Sequence, residues 1–306
     1  WNASRFCLMN LDGYEPCALT KLKLELADRW ILNKLGIVIE KTTNALSEYE
    51  FSTAAMGLYH FFWHEFCDWY LELAKPRLSL SEDMLGRMSA QNVMLYVLEN
   101  SLKLLHPIIP FVTEEIWQKL HSGESIMVAD WPEGVTAIEY EGGMDKIIAI
   151  IEEIRRIRTM LNISPAKRVK VNLLTLDPKT MAFLGEYSGY IKNLAKTADL
   201  AIKQDLEKPE YTATGVSEDV LVCVDMQGID LTDEENRLER EINKLQQEIS
   251  PLEKKLANTG FLKKAPPEIV TKQRQKRDEF MDKLAKLENN LEDIRQLIET
   301  SSRSEG

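Results

Sequence analysis

From Trp1 to His121 the apolar positions recur every three to four residues in one run after another, the period of amphipathic helices, with turn signals between the runs. Gly13 and Pro16 part a short first helix from a second. That second run, about Ala27 to Leu46, aligns Trp30, Ile31, Leu35, Val38, Ile39 and Thr42 on one face. Ser52 reads as the N-cap of a third helix. Ser81 reads as that of a fourth, where Glu82 and Asp83 make an acidic first turn that suits the helix dipole. His106-Pro107 stops the fourth, because proline disfavours helical geometry in the residue before it. A fifth, short helix covers about Phe111 to Leu120. Five helices with short connections predict an antiparallel bundle.

The pattern then changes. Residues 122 to 143 are rich in Gly and acid and mark a boundary. An amphipathic helix follows from Met144 to Leu161, carrying Ile147, Ile148, Ile151, Ile154 and Ile157. Val169 to Leu173 alternates as a strand, helical stretches lie near 178–197, and further strands are predicted near 199–203, 211–216 and 220–226. This is a small α+β module. Beyond it Leu231, Leu238, Ile242, Leu245, Ile249, Leu252 and Leu256 step by 7, 4, 3, 4, 3 and 4 residues, a heptad seam. The seam breaks at Asn258-Thr259-Gly260 and Pro266-Pro267, then resumes as Phe280, Leu284, Leu287, Leu291, Ile294 and Ile298. Two such runs predict an antiparallel coiled-coil hairpin with arms about 40 Å long at roughly 1.5 Å per residue. The fold class is therefore mainly α in three parts: a helical bundle over 1–139, an α+β linker over 140–230 and the hairpin over 231–306.

Composition refines this picture. With 44% apolar residues in 306, the chain can bury sizeable cores. No run of about 18 uninterrupted apolar residues exists to form a membrane span. Cys7, Cys17, Cys67 and Cys223 lie far apart without metal or disulfide spacing and read as reduced thiols of a cytoplasmic protein. The chain starts at Trp1, without Met or a signal pattern, and reads as a piece of something longer. Its net charge of −11 would by itself disfavour a nucleic-acid partner. The distribution says otherwise: Lys254, Lys255, Lys263, Lys264, Lys272, Arg274, Lys276 and Arg277 surround the predicted turn of the hairpin against one acid, Glu268. The tip is thus +7 and the body −18. A second block, Arg155, Arg156, Arg158, Lys167, Arg168 and Lys170, holds no acid among its sixteen positions. Both blocks could meet phosphate, or serve solvation and interhelical pairing.

No phosphate-binding glycine loop, H-E-x-x-H or G-x-S-x-G motif is present, and the chain itself carries no candidate catalytic constellation. His60 and His64, four apart on one helix face, could place two imidazoles on one metal, but a third ligand and an open site would still be needed. They are predicted on a packed face among Phe61, Phe62, Trp63 and Phe66. Trp30, Tyr59, Phe62, Trp63, Phe66, Trp69 and Tyr70 read mostly as core. Phe6, beside Arg5 and near Asn2, sits on the short first helix, where either ordinary packing or stacking on an unpaired RNA base would suit it.

Several segments together resemble one family. These are Trp1-Asn2-Ala3-Ser4-Arg5-Phe6, Ala27-Asp28-Arg29-Trp30-Ile31-Leu32, Asp68-Trp69-Tyr70-Leu71-Glu72 with Lys75-Pro76 after it, and Leu105-His106-Pro107-Ile108-Ile109-Pro110-Phe111-Val112-Thr113-Glu114-Glu115. They resemble the anticodon-binding bundle of class Ia aminoacyl-tRNA synthetases, the valyl-tRNA synthetase family in particular. Met160 to Arg168 resembles that family's linker module, and Asn258 to Val270 the tip of its terminal coiled coil. Cys7 and Gln273 stand where the family would have an aliphatic residue and an acid. The H-I-G-H and K-M-S-K-S signatures of the ATP-handling core have no counterpart, so no cofactor is expected in this chain and ATP belongs to the catalytic part of the parent.

The resemblance implies that Phe6 stacks on an anticodon base, with Asn2, Arg5 and Leu71 nearby. It also implies that the hairpin tip, with Phe261 among its lysines and arginines, reaches the outer corner of valine tRNA, where the D and T loops meet. Arg155, Arg156, Arg158, Lys167 and Arg168 are candidates for the tRNA backbone. No DNA or membrane partner is expected, and the parent enzyme is expected to be monomeric. The alternatives are the equivalent region of an isoleucyl or leucyl enzyme, which would not be expected to carry the hairpin, and a coiled-coil module that binds protein.

Overall fold

The computed structural model describes residues 1–79, 83–121, 123–134, 138–164, 166–227, 231–258 and 266–304. They fall into two compact units, Trp1–Asp145 and Lys146–Gly306.

In the first unit, α1 (Asn2–Met9) leads through a 3-10 turn (Leu19–Lys21) to α2 (Leu26–Ser47). The face predicted for α2 is the buried one: Trp30, Ile31, Leu35, Val38, Ile39 and Thr42 are each at most 7% exposed. Its N-terminus is closed by a capping box, Glu25 accepting from the Asp28 backbone while the Asp28 carboxylate accepts from the Glu25 N–H at 2.9 Å. α3 (Phe51–His60) continues through a π-helical segment (Phe61–Tyr70) into α4 (Leu71–Leu78). α3 starts two residues earlier than an N-cap at Ser52 would allow, with Glu50 as its N-cap and no side-chain bond. α5 (Met84–Leu105) is capped by Asp83, whose carboxylate accepts from the Gly86 N–H at 2.9 Å; Ser81 and Glu82 lie outside the described residues. Pro110 opens α6 (Pro110–Leu120), where a proline costs no hydrogen bond.

A buried ion pair ties this bundle together. Asp28 is wholly buried and takes both Arg77 guanidinium nitrogens, Nη1 at 2.7 Å and Nη2 at 2.8 Å, while the Tyr70 hydroxyl donates to it at 2.9 Å. Burial opposes the Arg77 charge, but Asp28 more than restores it and pushes the guanidinium pKa up. Tyr59 near the end of α3 and Trp63 in the π segment face outward: each is 53% exposed and their rings stack at 5.9 Å. They are surface, not core, as are His60 and His64, whose rings lie 5.2 Å apart. His64 Nδ1 meets Asp68 Oδ2 at 3.1 Å. Wider π turns change the register of the helix face, which 3.6-residue counting cannot anticipate.

The second unit begins within α7 (Met144–Met160), whose Ile147, Ile150, Ile151, Ile154 and Ile157 are buried; Ile148 is half-buried. The sheet has the order β2-β1-β4-β3. β1 (Val169–Leu174) crosses through α8 (Pro178–Glu186) and α9 (Ser188–Leu194) to its parallel neighbour β2 (Thr197–Lys203). β3 (Thr212–Ser217) and β4 (Val220–Asp225) form a hairpin antiparallel to β1. The chain ends in α10 (Leu231–Ala257) and α11 (Pro267–Ser304), an antiparallel helical hairpin. Its second helix, 38 residues or about 57 Å, is longer than the seam predicted, because helical geometry already begins at Pro267. Leu238, Ile242, Leu245, Ile249 and Ile294 are buried, while Leu252, Leu256, Phe280 and Leu284 toward the tip are half-exposed. Arg295 bridges the two helices at the base, reaching Glu235 at 2.8 Å and Glu239 at 2.6 Å. Among the described residues no helix is long and apolar enough to cross a membrane.

Candidate nucleic-acid interface

Two separate surfaces carry the residues singled out by sequence, and each is held by its own local chemistry. The first lies on α1 and α4. Phe6 is half-buried, and Lys75 places its Nζ 5.6 Å from the centre of the phenyl ring. Asn2 is one helical turn before Phe6, and Asn2 and Arg5 are both exposed. α1 has only eight residues, too few to be stable alone. Three side chains of α5 fix the segment that follows it. Gln91 Nε2 donates to the carbonyls of Asn10 (2.8 Å) and Asp12 (3.0 Å), Arg87 Nη2 to Asp12 (2.9 Å), and Asn92 Nδ2 to Glu15 (3.0 Å). Asn92 Oδ1 also accepts from the Cys17 N–H at 2.8 Å. Gln91 and Asn92 are buried polar residues in mid-helix, a signal that sequence reading passed over.

Leu71 lies one turn before Lys75; its side chain is 5% exposed and packs within the bundle. The thiols here are inert. Burial pushes the Cys67 thiol up to about 11, with Asp68 adding to the shift, and pushes that of Cys7 higher still. All four cysteines are free. Among the described residues no group of three or more His, Cys, Asp or Glu could hold a metal ion.

The second surface is the hairpin tip. Lys254 and Lys255 at the end of α10, and Lys272, Arg274 and Lys276 in the first turns of α11, are all exposed. Lys276 also stacks over Phe280 at 5.3 Å, and Arg277 Nε donates to Asp278 at 2.9 Å, which neutralises part of its charge. Phe261, Lys263 and Lys264 lie outside the described residues.

In the other basic block Arg158 is buried, while Arg155, Arg156, Lys167, Arg168 and Lys170 are exposed. Arg158 is 7% exposed and donates from Nη1 to Ala195 O at 2.7 Å and Lys196 O at 3.4 Å, and from Nη2 to Ser164 O at 3.0 Å and Lys167 O at 2.8 Å. Arg155 Nη2 reaches Leu194 O and Arg168 Nη1 reaches Thr197 O, each at 3.2 Å. These three guanidinium groups converge on the end of α9, where carbonyls lack helical partners, the helix dipole is negative and Lys196 takes a left-handed φ of 52°. Arg156 is bound by Glu153 at 2.7 and 2.9 Å. Lys167 is exposed. Arg158 thus has a structural role, with both terminal nitrogens donating to backbone carbonyls. Replacing it with Met is expected to lower stability by roughly 2 to 4 kcal/mol, since four backbone carbonyls, one of them buried, lose their donor. Urea unfolding reads this directly, and RNA affinity of the folded fraction should be unchanged.

Comparison with known proteins matches two stretches of the chain. Residues 28–173 match a family profile described as the anticodon-binding domain of tRNA ligase, and residues 230–295 one described as the valyl tRNA synthetase tRNA binding arm. The chain is 44% identical over 298 residues to a valine–tRNA ligase of Carboxydothermus hydrogenoformans, covering 95% of this chain and 33% of that protein. It is 42% identical over 306 residues to that of Geobacter sulfurreducens (97% and 34%), and 44% over 299 residues to that of Pseudothermotoga lettingae (96% and 33%). The chain thus spans about a third of the length of the curated relatives it matches.

Proposed function

The chain belongs to the valine–tRNA ligase family, and from that membership we propose that it binds valine tRNA at two places, the anticodon loop on α1 and α4 and the outer corner at the hairpin tip. In this reading the chain performs no chemistry itself. It holds the tRNA for a catalytic part that uses ATP to join valine to the 3′ end, and the binding energy of these remote contacts is spent on orienting that end.

The observation that carries the reading is the charge asymmetry of a chain of net charge −11 whose segment 254–277, around the turn of the hairpin, carries eight cations against one acid. A net acidic remainder favours docking of phosphate at the tip over non-specific coating. Phe6 supplies the contact of a different kind, a partly exposed ring on which a splayed base can stack. Arg5 and Asn2 flank it as donors to phosphate or base edges. A protein-binding hairpin would need an unpaired apolar seam. Here α10 and α11 turn their seams on each other.

The test is Phe6→Ala, with affinity for valine tRNA measured by filter binding and the contact mapped by footprinting. A loss of roughly 1 to 3 kcal/mol with protection lost at the anticodon loop alone is expected. A variant with wild-type affinity and footprint would remove the stacking role.

A further inference from the structure

Lys75 was part of a sequence motif without a role, and the structure gives it a place. Its ammonium lies over the Phe6 ring at 5.6 Å, on α4, while Phe6 comes from α1. Two elements 69 positions apart in sequence thus set a cation against an aromatic face at a partly exposed surface. The partner that Lys75 has within the protein is Glu72, one turn earlier on the same helix, and both side chains are more than 40% exposed. An exposed pair at this spacing is held only weakly. A phosphate is a more highly charged acceptor than the carboxylate it would replace.

We propose that Lys75 is a backbone-phosphate contact of the anticodon site, holding the phosphate of the nucleotide whose base lies on Phe6, and that Glu72 is its counter-ion in the free protein. The inference rests on the stacking role of Phe6 proposed above. The geometry suits single-stranded nucleic acid: successive bases need a ring to stack on and a cation within reach of the sugar-phosphate chain beside it. A phosphate that takes Lys75 frees Glu72, whose charge then opposes RNA. The pair therefore makes a prediction of two signs, in which removing the lysine weakens binding and removing the glutamate charge strengthens it.

The experiment uses this chain and the anticodon stem-loop of valine tRNA, with affinity followed over a range of salt. Lys75→Met is expected to weaken binding roughly 3- to 10-fold at low salt and to flatten the slope of log K against log salt by about 0.7, the single-strand value for one phosphate. Lys75→Arg should restore the slope, and Glu72→Gln should tighten binding. Phe6→Leu should weaken binding with the slope unchanged. If Phe6→Leu weakens binding while Lys75→Met alters neither affinity nor slope, the role of Lys75 is overturned and that of Phe6 stands. If Lys75→Met flattens the slope and Phe6→Leu is silent, the phosphate contact stands and the stacking reading falls. If both are silent, both readings fall. Circular dichroism melting of Lys75→Met should match the wild type, because the residue is an exposed helix position, and a folding defect there would overturn the assignment in favour of a structural role.

Discussion

Arg77→Met is expected to destabilise the first unit by about 3 to 5 kcal/mol, an effect large enough to unfold a marginal domain. The reason is the asymmetry of buried charge. Asp28 has no exposed surface, and Arg77 supplies two of its hydrogen bonds, at 2.7 and 2.8 Å. Without the guanidinium, a carboxylate stays in the core with the Tyr70 hydroxyl and the Glu25 N–H as its donors. Removing both members is a milder change, since no unpaired charge remains. Asp28→Leu with Arg77→Met should cost less than Arg77→Met alone, apart from about 1 kcal/mol for the capping box that Asp28 completes at the start of α2. Urea unfolding of the two single variants and the double variant measures the coupling. A coupling energy below about 1 kcal/mol would show that the pair does not hold the bundle together.

This ion pair also marks the limit of what the sequence discloses. Asp28, Arg77 and Tyr70 all lie in or beside the segments that carry the family resemblance, yet nothing local in the sequence says that residues 49 apart form one buried network. The helices were legible because their signal is local: the buried face of α2 follows from six residues at 3.6-residue spacing, and the hairpin from two heptad runs. Failures came where a partner was remote or the helix departed from its usual period. Tyr59, Phe62, Trp63, Phe66, Trp69 and Tyr70 recur at 3.6-residue spacing, but Phe61–Tyr70 is π-helical, so that count places Trp63 in the core where it is in fact exposed. Arg158 reads by charge alone as one more phosphate candidate, because its acceptors, the carbonyls of Ala195 and Lys196, are nearly forty residues away in sequence. Charge counting cannot tell a guanidinium that caps a helix from one that awaits a ligand.

Among the described residues of the hairpin tip Lys254, Lys255, Lys272 and Arg274 are exposed, and their charge sets the second large effect. Reversing Lys254, Lys255, Lys272 and Arg274 to Glu is expected to weaken valine tRNA binding about 100-fold or more at 0.1 M salt, and to flatten the salt dependence by about 3 in log–log slope. All four side chains are exposed, so the substitutions remove no buried contact and the hairpin should keep its helix content. Arg295→Gln is the control. It breaks the interhelical bridges to Glu235 and Glu239 at the base of the hairpin, so it tests whether a looser arm by itself weakens binding. If the tip acts through phosphate, the reversal changes the slope and the control does not. An equal loss in both variants with the slope preserved would mean that arm geometry, and not tip charge, governs the contact. The two surfaces should then be independent in energy: because Phe6 and the tip sit in separate units, Phe6→Ala and the tip reversal are expected to add in free energy for whole tRNA, and the anticodon stem-loop should feel Phe6 alone.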